Sequence, residues 1–269
     1  MIKYILKDIF IYPIKSLGGF SVKNAEVTDR GFKHDRRWML IDENYNFLTQ
    51  RSIREMSLIQ TEIRDNLLIA FNKLDPNDKV TIQINPNLTD SNIAKVWDDE
   101  VEVFNYSDEI NNWFSDKLKI NCMLVYMPEK TKRKVEEDYA KQNEITSLSD
   151  GYPFLIIGEE SLNLLNSKLE KPLQMDRFRP NLVFSGGNPH DEDNWTEFRI
   201  SKIIFKPVKP CARCIVTTIN QETAEQSAEP LKTLSTYRRN DKNKVLFGMN
   251  LLHEGKGIVN VGDILEIDH

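Results

Sequence analysis

Short β-branched and aromatic runs, separated by polar turns, dominate the first hundred residues of the chain. This spacing points to a meander or barrel of strands. Trp38-Met39-Leu40-Ile41 and Phe47-Leu48-Thr49 flank a polar Asp42–Asn46 stretch, and Leu58–Ile63 and Leu67–Phe71 flank Arg64-Asp65-Asn66, so a hairpin is expected at each place. Val80–Ile84 and Val101–Phe104 alternate with period two and add strands, and Met1–Ile11 also alternates towards a strand. Helices interrupt this pattern at two places. Ser107 can cap a segment with Ile110, Trp113, Phe114 and Leu118 on one face, and Asp108 and Glu109 lie in its first turn, where the helix dipole favours them. A second helix is expected from about Glu159 to Leu169, with Leu162, Leu165 and Leu169 on one face. Residues 129–138 mix charges of both signs without apolar periodicity and read as a solvated loop. The expected class is mainly β with a few helices (α+β), divided near residue 121 into units 1–121 and 122–269.

The 269 residues are 40% hydrophobic and 29% charged, enough for a sizeable core in a soluble chain. A net charge of −5 argues against a nucleic-acid partner, whose affinity rests on a basic surface. No run approaches the roughly 20 apolar residues of a membrane helix, and charge interrupts the N-terminus before any signal-peptide core. Three cysteines do not make a disulfide framework, so a reducing, cytoplasmic setting is expected.

The chemistry concentrates in Pro210-Cys211-Ala212-Arg213-Cys214, followed by Ile215-Val216-Thr217-Thr218-Ile219, which reads as a strand. A thiolate binds soft metals and a neighbouring guanidinium favours it, which makes Cys214 the leading metal-ligand candidate. Structural zinc would need four ligands, yet Cys122, His34, His190, His253 and His269 are scattered. A thioredoxin-like dithiol should open a helix, which a following strand disfavours. Two buried structural cysteines remain an alternative.

Four other segments carry polar groups suited to a ligand. In Tyr12-Pro13-Ile14-Lys15-Ser16-Leu17-Gly18-Gly19, Lys15, Ser16 and free amides near Gly18 could hold a phosphate, although surface turns often look the same. In Lys33-His34-Asp35-Arg36-Arg37-Trp38 an extended backbone sends Arg36 and Arg37 to opposite faces, leaving one for an anion and the other solvated. Pro180 moves Arg179 out of the helical region and starts a strand, so Arg179 and Asn181 project the same way, as a polar ring system would require or as a charged strand edge would allow. In Ser149-Asp150-Gly151-Tyr152-Pro153, Asp150 is either a proton donor or a turn residue.

Together and in this order the motifs resemble the MOSC family, most closely its amidoxime-reducing branch, over nearly the full length. Tyr12–Ser16 and Asp35–Trp38 are similar to its N-terminal β-barrel subdomain. Phe178–Asn181, Glu192–Trp195, Cys211–Cys214 with Thr217-Thr218, Glu229–Leu234 with Tyr237-Arg238, and Leu246–Gly248 are similar to the MOSC β-barrel domain proper. The resemblance implies a molybdenum cofactor (Mo-molybdopterin) with Cys214 as the protein thiolate on the metal. It also implies that Lys15, Ser16 and Arg36 grip the cofactor phosphate, helped by the turn at Gly151 and Tyr152. Arg179 and Asn181 would hold the pterin, Ala212 and Arg213 would line the approach to the metal, and Asp150 would lie near it as a proton relay. The implied activity is reduction of small N-hydroxylated compounds (hydroxylamines, amidoximes, N-hydroxylated bases). No cysteine series for an iron–sulfur cluster is present, so electrons would come from a separate donor protein of ferredoxin, flavin or haem type. Membrane attachment is not carried over, and the absence of a pyridoxal-phosphate region disfavours cofactor sulfuration. The alternative is a non-catalytic cofactor or sulfur carrier that relays sulfur through Cys214.

Overall fold

A computed structural model describes residues 3–84, 87–140 and 142–268. Met1, Ile2 and His269, which enter the expectations above, lie outside them. Strands Leu182–Ser185, Phe154–Gly158, Leu246–Glu254, Ile203–Ala212, Glu197–Ile200, Ile264–Asp268 and Tyr4–Ile11 pair in that order. Tyr4–Ile11 then pairs back onto Leu182–Ser185, which closes a 7-strand barrel and removes the exposed edges of an open sheet. One neighbouring pair, Phe154–Gly158 with Leu182–Ser185, is parallel. A parallel pair needs a crossover, supplied here by helix Glu159–Asn166 and the 3-10 turn Met175–Phe178. Phe154 and Ile156 enter the barrel core with Leu6, Ile9, Phe198, Phe205 and Leu251. The alternate residues Leu155 and Ile157 pack outside it with Leu165, Phe178, Leu234 and Phe247.

The N-terminal region forms a half-barrel from two sheets, one of strands Trp38–Ile41, Met123–Tyr126, Asp99–Asn105 and Ser91–Val96, the other of Ile59–Arg64, Leu67–Asn72 and Asp75–Gln83. Helix Asp108–Leu118 seats Phe114 and Leu118 among Trp38, Leu40 and Leu68. Ser107 occupies its N-cap position without a side-chain cap bond. The hairpin at Asp65-Asn66 turns with φ of 48° and 62°, the left-handed pair that a two-residue hairpin loop demands. After Asp42–Asn46 the chain returns along Trp38–Ile41 through the Ile41–Phe47 bridge and the Leu48 amide on the Leu40 carbonyl.

Strand pairing crosses residue 121 in both directions: Tyr4–Ile11 belongs to the barrel, while Met123–Tyr126 belongs to the N-terminal sheet. The mixed-charge segment departs from the solvated loop expected. Arg133 is 6% exposed and lies in a short hairpin with Ile145–Thr146. Its Nε meets Asp99 at 2.7 Å, and its Nη1 donates to the carbonyls of Ser147 and Ser149 at 3.1 and 2.6 Å. A charge this buried is tolerated because Asp99 supplies a counter-charge and the two carbonyls accept from Nη1.

Motifs away from the cleft hold the barrel wall. Glu192 is fully buried, accepting from the Gly158 amide and the Ser161 hydroxyl, and burial pushes its carboxyl up to about 7. Asp193 ties the same turn to Arg238 at 2.6 Å.

Candidate functional site

A cleft of about 340 Å³ is lined by residues from both regions of the fold. Lys15, Ser16, Arg36, Asp150, Gly151, Tyr152, Arg179, Asn181, Ala212, Arg213 and Cys214, all expected from sequence, border it together. They come from the turn after the first barrel strand, the loop before Trp38, the loop braced by Arg133, the end of the crossover, and the end of strand Ile203–Ala212.

One group of lining residues is cationic. Lys15 is 4% exposed, and its Nζ donates to Asp150 Oδ1 at 2.6 Å. Burial draws the Lys15 ammonium down to about 8 against the opposing pull of Asp150. Desolvation works to raise the Asp150 carboxyl, but Lys15, with Arg51 and Arg36 beyond it, holds the group well below the usual carboxylate range. Arg36 is held by both oxygens of Asp35, at 2.9 and 2.7 Å, and donates to the Arg179 carbonyl. The guanidiniums of Arg36 and Arg179 each lie 4.3 Å from the centre of the Tyr12 ring, whose negative face softens the repulsion between them. Burial, with Arg36 close by, draws Arg179 down to about 10. Its Nη2 is buried without a partner. Ser16, Arg36 and Arg179 all have left-handed backbone, with φ of 68°, 47° and 54°. Non-glycine residues pay on the order of 1 kcal/mol each for that conformation, and such strain gathers at functional sites.

Details of this region differ from the expectations. Arg37 is buried rather than solvated, bonded to Glu129 at 2.6 Å and to the Met127 carbonyl at 2.5 Å. The Gly18 amide bonds the Ile59 carbonyl at 2.8 Å, so it is committed to the fold. Pro180 does move Arg179 out of the right-handed region, but into a left-handed turn rather than a strand, which begins at Leu182. Asn181 spends its carboxamide on the backbone of Phe10 and Leu155, bracing the first barrel strand against its neighbours.

The cysteine segment carries two corrections. Arg213 points Nη1 at Cys211 Sγ, 2.9 Å away, and Nη2 at the Phe178 carbonyl. The guanidinium expected beside Cys214 therefore serves Cys211. Residues Ile215–Thr218 form a 3-10 turn instead of a strand. Thr217 and Thr218 turn their hydroxyls back onto the carbonyls of Cys214 and Ile215, at 2.9 and 2.7 Å, so local bonding overrides the β-branched pattern. With no strand after Cys214, the backbone there does not disfavour a dithiol. What separates the two sulfurs is the guanidinium contact of Cys211. Among the described residues no three His, Cys, Asp or Glu side chains gather as a metal cage. A metal at Cys214 would thus have fewer than three such protein ligands and take the rest from elsewhere.

Arg51, not expected from sequence, borders the cleft with Nη2 3.9 Å from Asp150 Oδ2 and stacks 4.5 Å from the ring centre of Trp97. Glu136 and Lys209, equally unexpected, are also on the cleft. The Gln50–Gln221 pair, bonded in both directions at 3.1 and 3.0 Å, fastens the Ser16 carbonyl and joins the two regions beside the site. No local motif marks these residues, since each acts through a partner distant in sequence.

Residues 3–121 match the MOSC N-terminal beta barrel domain, and residues 143–266 match the MOSC domain. The chain is 35% identical to a molybdenum cofactor sulfurase of Oryza sativa subsp. japonica over 93% of its own length, but it spans only 32% of that protein. It is 32% identical to mitochondrial amidoxime-reducing component 1 of Mus musculus, with 95% of this chain and 80% of the relative covered. Identity to the Homo sapiens protein of that name is 31%, with 95% and 80% covered. Among the described residues no helix is long and apolar enough to cross a membrane. The chain belongs to the MOSC family and carries both of its parts, the N-terminal β barrel and the MOSC domain proper.

Proposed function

We propose that the protein is a molybdenum-cofactor-dependent reductase of N-hydroxylated compounds that draws electrons from a separate redox protein. The observation that carries this reading is the gathering of Cys214 and the cations Lys15, Arg36, Arg51 and Arg179 around one cleft. The volume suits a pterin-sized ligand. Cations gathered at a partly buried wall repel one another, a cost that a phosphate would relieve, and the unpartnered Nη2 of Arg179 is a donor awaiting an acceptor. The amidoxime-reducing relatives, matched over 80% of their length, favour the same activity.

In this reading Cys214 holds the metal, and Lys15, Ser16 and Arg36 hold the phosphate with the backbone turn at Gly151-Tyr152. Arg179 faces the pterin, Asn181 fixes the wall behind it, and Ala212 and Arg213 line the approach. The bound cofactor would supply both electrons for converting N–OH to N–H, while two protons enter and water leaves. Asp150, held ionised by the Lys15 ammonium, would serve as a relay rather than a primary acid, passing on protons that enter from solvent while Lys15 keeps its own. A reducing, cytoplasmic setting goes with a chain whose cysteines are all free.

The test is to purify the protein from a host that makes the cofactor, quantify molybdenum and released pterin, and assay benzamidoxime reduction with a chemical electron donor. Turnover is expected. Its absence from molybdenum-loaded protein would sink the enzyme reading. The similarity to sulfurases over 93% of this chain supports a second reading, a carrier that passes sulfur through Cys214. Persulfide on Cys214 by mass spectrometry, without stable molybdenum, would establish that instead.

A further inference from the structure

Another stretch of the cleft wall has a different chemical character from the cationic cluster. Lys209 Nζ donates to Glu136 Oε2 at 2.8 Å, and the Tyr152 hydroxyl donates to the same oxygen at 3.2 Å. The ammonium also sits 4.7 Å from the centre of the Tyr139 ring and 5.8 Å from that of Tyr152, and these two rings meet edge to face. Glu136 comes from the mixed-charge loop, and its carbonyl is fixed by the amides of Tyr139 and Ala140. Lys209 belongs to the strand that leads into Cys211, and its carbonyl is held by the Asn250 amide group, which also borders the cleft.

The pair is close to neutral overall, so it would not attract a phosphate, which the cluster around Lys15 suits far better. It is not chemically silent. A carboxylate offers several lone-pair sites and an ammonium three donors, and the contacts between them use only some of each. The side chains are 57% and 38% exposed, which leaves that capacity open to a ligand in the cleft. An acceptor and a donor lie side by side, next to the flat ring of Tyr152.

We propose that Glu136, Lys209 and Tyr152 form the substrate-selecting wall and favour planar amidine-type N-hydroxylated compounds over simple alkyl hydroxylamines. In the former an amino donor and an imino nitrogen acceptor occupy neighbouring positions on a flat frame, which matches the carboxylate, the ammonium and the ring. An alkyl hydroxylamine has no such second pair and no flat face. The proposal rests on the reductase reading above, because that reading puts an N-hydroxylated ligand in this cleft.

The experiment uses cofactor-loaded protein kept oxidised without an electron donor, so that binding is read apart from turnover. Calorimetry would compare benzamidoxime with N-methylhydroxylamine on wild type, Glu136→Gln and Lys209→Met, with molybdenum per chain measured on each sample. Loss of one hydrogen bond to a charged group predicts benzamidoxime binding weakened roughly tenfold in each variant. The preference for benzamidoxime over N-methylhydroxylamine should fall by the same factor at equal molybdenum content. Equal weakening for both compounds, no weakening, or a wild type that does not discriminate would overturn the proposal. The two readings fail separately: protein that binds benzamidoxime in this manner yet reduces nothing loses the reductase reading alone. Protein that reduces both compounds with an unchanged preference after either exchange loses the wall alone.

Discussion

Lys15 gives a quantitative test of the anion end of the cleft. In the free protein its ammonium titrates near 8, drawn down by burial. The charged groups facing it are Asp150, Arg36 and Arg133, with Arg51 beyond Asp150, and Asp150 is ionised throughout the range tested. At pH 7.5 about three quarters of Lys15 is protonated, and at pH 9 about a tenth, so binding that needs the ammonium should weaken roughly eightfold. The sign is fixed, because raising the pH removes the positive charge and the affinity for a dianion falls. The assay is calorimetric titration of cofactor-free protein with inorganic phosphate, corrected for the second ionisation of phosphate itself. Lys15→Arg keeps its charge throughout and should bind with little pH dependence, whereas Lys15→Met should be weak at both values. Asp150→Asn removes the group that holds the proton on Lys15, so the falling limb should move to lower pH. Wild-type affinity that is flat across this range, or an identical fall in Lys15→Arg, would refute the assignment of Lys15 as the titrating anion ligand.

Other exchanges separate the parts of the site. Cys214→Ala should abolish turnover while much of the pterin stays bound through Lys15, Arg36 and Arg179, and full activity in that variant would exclude a metal ligand at this position. Cys211→Ala should keep most of the molybdenum, since its sulfur is taken by Arg213. Arg51→Ala should lower molybdenum and pterin per purified chain about tenfold, the effect of one charged hydrogen bond, with turnover per bound metal little changed; unchanged cofactor content would remove Arg51 from the phosphate end. Glu192 is raised from 4.5 to about 7 by burial, so its contribution is fully present below pH 4.5 and lost as pH rises through 7. Urea unfolding at pH 5 and pH 8 should show wild type losing on the order of 3 kcal/mol more than Glu192→Gln between the two values.

The strands and helices of this chain were legible because they depend on local periodicity. Leu162 and Leu165 pack the crossover helix, and Phe114 and Leu118 pack the N-terminal one, as their spacing requires. The closure of the barrel by Tyr4–Ile11 was not legible, because pairing between residues 5 and 185 leaves no mark in either segment alone. The site residues emerged from short motifs with distinctive chemistry. The bonds those residues make did not. Arg213 beside Cys214 in sequence is turned to Cys211 in space, and the threonines that read as strand formers close a 3-10 turn through their hydroxyls. Arg133 looked solvated because its carbonyl partners come from the Ser147–Ser149 backbone, which composition cannot reveal.

The topology explains why such a site needs the whole fold. Lys15 follows a strand that belongs to the closed barrel, while Arg36 precedes Trp38 in the N-terminal sheet, yet both reach one cleft through left-handed turns. Asn181 ends the crossover that makes the parallel pair, and its carboxamide clamps the first strand at Phe10, two residues before the Tyr12 ring shared by Arg36 and Arg179. The cations are thus positioned by contacts between segments more than a hundred residues apart, and the sulfur of Cys214 is placed by a strand of the same barrel. A ligand that touches both ends binds only after the barrel has closed on its first strand, so cofactor binding would report on completion of the fold as well as on the chemistry of its side chains.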